Sequence, residues 1–196
     1  MAQAVDEEEA REPRLPVVVY AMDEHRLGLK PVTRRVWAPA GERPVALGQH
    51  RFKWLHVTAF VAPAMGETVW YLSNGLSKPF FERLLADFAR EVGAGTRCRA
   101  VVMLDNAGWH TQPNLSVPEG VRLVYLPPYT PELQPAETLW PLVDEPVVNR
   151  YIANLDELER VVEQRCATLS EQPGLISSRT SFHWLPKTAK PKPKLA

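Results

Sequence analysis

Two continuous apolar runs form the strongest pattern along the chain. Residues 15–22 (LPVVVYAM) and 100–104 (AVVML) contain no alternating polar positions, and each run is followed by an aspartate, Asp23 or Asp105. Runs of this kind are typical of strands that are buried on both faces of a sheet. Further strands are predicted where β-branched and aromatic residues concentrate, at residues 31–37, 52–61, 68–72 and 121–126.

Helical spacing occurs in three places. Ser77 begins a segment whose apolar residues recur every three or four positions until Gly93. A short helix is predicted near Pro135, and it should kink or end at Pro141, whose ring crowds the preceding turn. A last helix is predicted after residue 154, where Asn and Glu three positions apart resemble a capping box. This order predicts an α/β fold, a mixed β-sheet with helices on both faces.

The composition indicates one globular domain without a membrane segment. The chain has 196 residues, 45% of them hydrophobic, and its 23 basic and 23 acidic residues give no net charge. That balance argues against strong nonspecific binding to nucleic acid, which usually accompanies a basic excess. Two cysteines and no signal peptide predict a reduced, cytoplasmic protein. Charged residues 1–14 predict a disordered leader, residues 15–186 the domain, and residues 187–196 a basic Pro/Lys tail.

Three acidic residues are candidates for a metal site. Asp23 and Asp105 follow strands, and the carboxyl ends of neighbouring strands open into one crevice. Glu137, near a helix start, would supply a third carboxylate. Two carboxylates about 4 Å apart repel by about 4 kcal/mol at an effective dielectric near ~20, a cost that a divalent cation relieves. Oxygen ligands alone favour Mg²⁺ or Mn²⁺. Equally, an Asp after a strand is often a turn former, and a Glu in a first helical turn favours the helix dipole.

Three sequence blocks carry a family resemblance. They are DEHR, RVWAP and GERP within residues 23–44, LDNAGWH at residues 104–110, and LPPYTPELQPAE at residues 126–137. Together they resemble the DDE-type endonuclease (catalytic) domain of bacterial insertion-sequence transposases in the Tc/mariner superfamily. The resemblance runs from about residue 17 to residue 184. One departure is Gln134, which stands where the family usually has Asn.

The resemblance implies a fold, a reaction and partners. The fold is an RNase H-like DDE catalytic domain in which Asp23, Asp105 and Glu137 are catalytic and hold two Mg²⁺ (or Mn²⁺) ions. The reaction is cleavage of DNA at transposon ends, followed by transfer of the freed strand to target DNA. Relatives carry helix-turn-helix modules and act as dimers, so a homodimer and a separate helix-turn-helix subunit are expected. His110 would contact substrate or support a metal ligand, although a lone histidine is more often structural.

Two other functions remain open from the residues. The chain would then be another RNase H-like nuclease that cuts junctions or RNA strands, or a non-catalytic fragment that regulates an intact transposase. The block at residues 126–137 favours the transposase over the other nucleases by resemblance. All three acids are present, which disfavours a non-catalytic remnant.

Overall fold

A five-stranded mixed sheet forms the centre of the computed structural model, which describes residues 1–45, 47–48 and 51–186. In chain order the strands are β1 (Val17–Gly28), β2 (Trp54–Ala62), β3 (Glu67–Ser73), β4 (Arg99–Leu104) and β5 (Val121–Tyr125). Their order across the sheet is β3-β2-β1-β4-β5. Strand β2 runs antiparallel to β1 and β3, whereas β1, β4 and β5 run parallel to one another. The mixed sheet predicted from the sequence is confirmed.

Strand β1 is longer than the apolar run that predicted it. It pairs with β2 from Ala21 to Gly28, but its pairing with β4 ends at Ala21, opposite Met103. Asp23 therefore lies inside a strand, just beyond the end of the parallel ladder, and not after a strand as predicted. Antiparallel backbone hydrogen bonds to β2 continue the strand through polar residues that the apolar pattern excludes.

Helices cover both faces of the sheet and give it two apolar cores. On one face lies α2 (Lys78–Val92), capped by Ser77 as predicted. Two 3-10 helices, Pro131–Leu133 and Pro135–Leu139, lead into the helices of the other face. These are α3 (Trp140–Asp144), α4 (Leu155–Ser170), whose N-cap is the predicted Asn154, and α5 (Pro173–Thr180). The predicted layers are confirmed, although α5 had no predicted counterpart.

The predicted disordered leader at residues 1–14 is wrong for most of its length. Residues Ala2–Arg11 form a helix, α1, which packs Ala4 and Val5 into the core shared with α3 and α4. Glu8 is only 3% exposed and accepts a 2.7 Å hydrogen bond from Nε of Arg99, at the start of β4. The charged composition of residues 1–14 suggested a solvated segment. The segment folds as a helix because Arg99, far away in the sequence, neutralises the buried carboxylate of Glu8.

The predicted strand at residues 31–37 is also wrong. These residues lie in the irregular connection between β1 and β2, where Val36 and Trp37 are exposed. Their composition favours a strand, but no strand in the part of the chain that the structure describes pairs with them. The connection is held instead by Arg34, whose backbone N–H donates to Oδ1 of Asn149 at 2.9 Å.

Two further predictions concern the tail and the membrane. The basic tail at residues 187–196 lies outside the described residues. Within the described residues, no helix combines the length and the apolar character needed to cross a bilayer.

Candidate active site

Asp23, Asp105 and Glu137 line one open cavity of about 390 Å³ at the edge of the sheet. Asp23 belongs to β1, Asp105 follows β4 directly, and Glu137 lies in the 3-10 helix Pro135–Leu139. The segment after β5, starting at Leu126, forms the apolar wall of the cavity. The fold therefore brings together all three acids that the sequence singled out.

Helix α3 orients the carboxylate of Asp23. Nε1 of Trp140 donates a 2.7 Å hydrogen bond to Oδ2 of Asp23. The indole is 8% exposed and stacks on the ring of His25, with 5.0 Å between centroids and 14° between planes. Nε2 of His25 lies 2.8 Å from Oδ1 of Asp144, which is also in α3. A buried indole, which the ring of His25 holds in place by stacking, therefore fixes one oxygen of Asp23.

A buried histidine orients Asp105. Oδ1 of Asp105 accepts from the backbone N–H of Ala107 at 3.0 Å and lies 2.8 Å from Nδ1 of His110. The other ring nitrogen of His110 lies 2.9 Å from Oε1 of Glu24, an atom that also accepts from Nε1 of Trp109 at 3.1 Å. His110 thus links the second acid to β1, on which the first acid lies.

Gln134 fixes the segment that carries Glu137. Its Nε2 donates to the backbone carbonyl of Met22 at 2.9 Å, and its Oε1 accepts from the N–H of Ala136 at 3.4 Å, capping the 3-10 helix. Glu137 itself is exposed, and its carboxylate has no hydrogen-bond partner within the described residues, although its backbone N–H donates to the carbonyl of Gln134 at 3.2 Å. Gln at the position of the family's usual Asn therefore connects the third acid to the strand of the first.

Residues 18–159 match the family model described as DDE superfamily endonuclease. The matched range covers well over half of the chain and includes Asp23, Asp105 and Glu137. The chain belongs to the DDE superfamily endonucleases. The endonuclease is also 33% identical to the uncharacterized protein y4pE/y4sA of Sinorhizobium fredii over 135 residues, which are 67% of this chain and 96% of the relative.

Solved structures of Mos1 transposase have a similar fold. The Mos1 strand transfer complex matches with a TM-score of 0.55 and 13% identity, over 93% of this chain and 61% of the Mos1 chain. The Mos1 mariner paired end complex with Mn matches with a TM-score of 0.57 and 12% identity, over 91% and 59% of the two chains. These matches confirm the predicted RNase H-like fold. The endonuclease spans about three fifths of the length of the Mos1 chains.

The three acids of the cavity differ in the direction in which the structure shifts their pKa values. Burial raises the pKa of Asp23 to about 7, and the charge of Glu137 adds to the increase. Burial followed by the charge of Asp105 raises the pKa of Glu137, whereas the hydrogen bond from His110 lowers the pKa of Asp105. Burial alone would lower the pKa of His110, but its bonds to Asp105 and Glu24 outweigh burial and raise the pKa to about 9. The cavity therefore concentrates negative charge that a cation would offset.

The cavity and an adjacent cluster differ as places for a divalent cation. Asp23, Asp105 and Glu137 line one cavity, but within the described residues they do not form a group whose ligand atoms all lie within 4.8 Å of one another. Glu24, Asp105 and His110 each place one ligand atom within 4.8 Å of the others. However, both ring nitrogens of His110 already lie at hydrogen-bond distance from carboxylates, so an ion there would have to displace both contacts. The three acids of the cavity offer oxygen donors only, the set that Mg²⁺ and Mn²⁺ prefer.

Of the residues that orient the acids, the sequence indicated only His110. Glu24, the indole N–H of Trp140 and the amide of Gln134 were not predicted to act at the site. Each of them lies close in sequence to Asp23 or Glu137, but each contacts a residue far away in the chain. Glu24 contacts His110, 86 residues away, Trp140 contacts Asp23, 117 residues away, and Gln134 contacts Met22, 112 residues away. Only the short distance from Asp105 to His110 gave a local signal of contact.

Proposed function

We propose that this endonuclease is the catalytic domain of a transposase that cuts DNA at transposon ends and joins the freed 3′ end to target DNA. In this proposal Asp23, Asp105 and Glu137 are the catalytic residues and hold two Mg²⁺ or Mn²⁺ ions. The observation that carries it is that three acids from three separate elements line one cavity. Membership of the DDE superfamily endonucleases supports the same reaction class.

The residues around the cavity would prepare the acids for this task. Trp140 holds Oδ2 of Asp23, and Ala107 with His110 holds Oδ1 of Asp105. The second oxygen of each carboxylate is the atom that we assign to metal binding. When bound, divalent ions polarise the phosphate and stabilise the attacking and leaving oxygens. Fixing the carboxylates beforehand reduces the reorganisation that this chemistry requires.

We further propose that the endonuclease acts as a homodimer with a separate helix-turn-helix subunit in the cytoplasm. The solved structures of similar fold include a paired-end complex of Mos1 transposase with the left transposon end. A domain without net charge would gain DNA affinity and sequence recognition from such a partner.

The central test is the variant Asp105→Asn. It should abolish Mg²⁺- or Mn²⁺-dependent cutting of transposon-end DNA, because an amide is a poor substitute for a metal-binding carboxylate. The matched control is Glu132→Gln, since Glu132 is an exposed acid close to Glu137 that does not line the cavity. Circular dichroism should report folded protein for both variants.

Three outcomes would change the proposal. Cutting by Asp105→Asn at the parent rate would remove Asp105 from the site. Cleavage of an RNA–DNA hybrid or a four-way junction, with no cleavage of transposon-end DNA, would replace the transposase by another nuclease. Absence of cutting combined with co-purification with a full-length relative would favour a regulatory fragment.

A further inference from the structure

Tyr129 is a bulky aromatic residue left in solvent at the active-site cavity. The residue is 99% exposed, yet it lines the same cavity as Asp23, Asp105 and Glu137. Tyrosine usually buries most of its ring, because the apolar face gains free energy on leaving water. An exposed ring beside a catalytic cavity is therefore available to a ligand.

The backbone that presents Tyr129 is stiff and unusual. Its φ of 60° lies in the left-handed region, which bulky residues rarely adopt and which marks functional sites more often than average. Pro127 and Pro128 precede it, and Oγ1 of Thr130 donates a 2.6 Å hydrogen bond to the carbonyl of Pro127. The 3-10 helix that starts at Pro131 closes the other side. The ring is thus displayed by a loop with little freedom to withdraw it.

The charge of the cavity limits how DNA can be held there. Three of the residues that line it are acidic, and none of its described lining residues is Lys or Arg. The phosphate backbone therefore finds no side-chain ion pair at this point. Stacking of a base on an aromatic ring needs no positive charge and accepts any base, because every base has a π-face.

We propose that Tyr129 is a base-stacking residue that holds the nucleotide next to the cut phosphodiester against the wall of the cavity. This proposal rests on the proposed function, because it supplies a nucleotide-binding contact for the same site. A cavity of about 390 Å³ is at the lower end of the range for small-ligand pockets, so it suits one unstacked nucleotide rather than a duplex. The nucleotide would leave the base stack to reach the ring, and the ring would offset part of that cost.

The first test is a double-mutant cycle between Tyr129 and the nucleotide. Tyr129→Asn removes the ring while keeping a residue that tolerates left-handed backbone, and Tyr129→Phe keeps the ring. Cutting by Tyr129→Asn should fall about 10-fold or more, whereas Tyr129→Phe should cut near the parent rate. An abasic site is also placed in turn at each nucleotide that flanks the cut. At one position it should reduce the cutting rate of the parent about as much as Tyr129→Asn does. At that position it should reduce the cutting rate of Tyr129→Asn only slightly further.

The second test reads stacking without cleavage. A single-stranded DNA with 2-aminopurine at its centre is bound to the protein in the Asp105→Asn background, with and without the change at Tyr129. Fluorescence quenching should appear with Tyr129 and with Tyr129→Phe and should be lost with Tyr129→Asn. This measurement decides the role of Tyr129 even if the parent protein cuts no DNA, a result that would overturn the proposed function alone.

Several results would overturn the stacking proposal. The first is cutting by Tyr129→Asn at the parent rate. The second is an equal loss of cutting rate in Tyr129→Phe, which would assign the effect to the hydroxyl. The third is that the effects of Tyr129→Asn and of an abasic site on the cutting rate are fully additive at every position. Equal 2-aminopurine fluorescence with and without the change Tyr129→Asn would do the same. Circular dichroism of each variant should match the parent, because the exposed ring contributes little to the core.

Discussion

Removing one indole N–H should test the proposed role of Asp23 as a metal ligand. Trp140→Phe keeps an aromatic ring against His25 but deletes the donor that lies 2.7 Å from Oδ2 of Asp23. That hydrogen bond lowers the pKa of Asp23 against the larger effect of burial, which raises it to about 7. The variant should therefore hold Asp23 in its protonated form at higher pH than the parent does.

The size of the effect follows from the charge on the acceptor. A hydrogen bond to a charged group contributes about 1.5–3 kcal/mol, which corresponds to a pKa increase of about 1–2 units for Asp23. At pH 7 the ionised fraction of Asp23 would then fall by roughly 5- to 50-fold from about one half. Since a metal ligand must be deprotonated, the apparent Mg²⁺ affinity should fall by a similar factor at pH 7. Near pH 9 the difference in Mg²⁺ affinity should shrink to about 2-fold or less, because Asp23 of the variant is then at least about half ionised.

Mg²⁺ titrations at both pH values provide the assay, by calorimetry and by activation of DNA cutting. The matched control is Trp70→Phe, because Nε1 of Trp70 donates to the neutral hydroxyls of Thr68 and Ser170 at 2.9 and 3.1 Å, away from the cavity. Trp70→Phe should leave the Mg²⁺ affinity unchanged at both pH values. The reasoning is refuted if Trp140→Phe binds Mg²⁺ like the parent at pH 7, or if its defect is as large at pH 9.

Two further predictions concern the free energy of unfolding. In the metal-free domain, Asp23 should contribute a loss of stability as pH rises from about 4 to 7, because folded Asp23, with a pKa of about 7, keeps a proton that the unfolded chain releases at 3.8. Asp23→Asn should remove that loss and stabilise the domain at pH 8 by up to about 4 kcal/mol, measured by urea unfolding in EDTA. Glu8→Ala should destabilise the domain by about 3–5 kcal/mol, because it leaves Arg99 buried without its carboxylate. Glu7→Ala removes an exposed partner of Arg122 and should cost much less than Glu8→Ala.

Each of these measurements has an outcome that contradicts it. A parent-like pH slope in Asp23→Asn would mean that another group causes the slope. Equal losses in Glu8→Ala and Glu7→Ala would mean that the buried pair adds nothing beyond the surface one. Saturating Mg²⁺ should flatten the slope of the parent if Asp23 ionises on binding metal.

Local patterns predicted those parts of the fold that local forces determine. Ser77 and Asn154 cap helices through hydrogen bonds that span three residues, so their sequence neighbours were enough to identify them. The buried runs before Asp23 and Asp105 gave two central strands because a strand covered on both faces has no polar positions. The candidate acids came from these strand ends and from the family resemblance.

Contacts between distant segments decided what the sequence left out. Helix α1 forms where a charged segment meets Arg99, and residues 31–37 remain irregular because no strand among the described residues pairs with them. The length of β1 depends on its partner β2, which extends beyond the end of β4. His110 could be named from the sequence, but its contact with Glu24 exists only once β1 and β4 are neighbours.

Asp23 and Glu24 are consecutive residues of one strand, so their side chains leave it toward opposite faces of the sheet. Asp23 contacts Trp140 of α3, which packs into the core shared with α4. On the other face Glu24 contacts His110, whose ring contacts Phe81 of α2. In the proposed mechanism, the orientation of Asp23 and of Asp105 therefore depends on both layers at once. A chain in which only one layer has folded would lack the contact that orients one of these two acids.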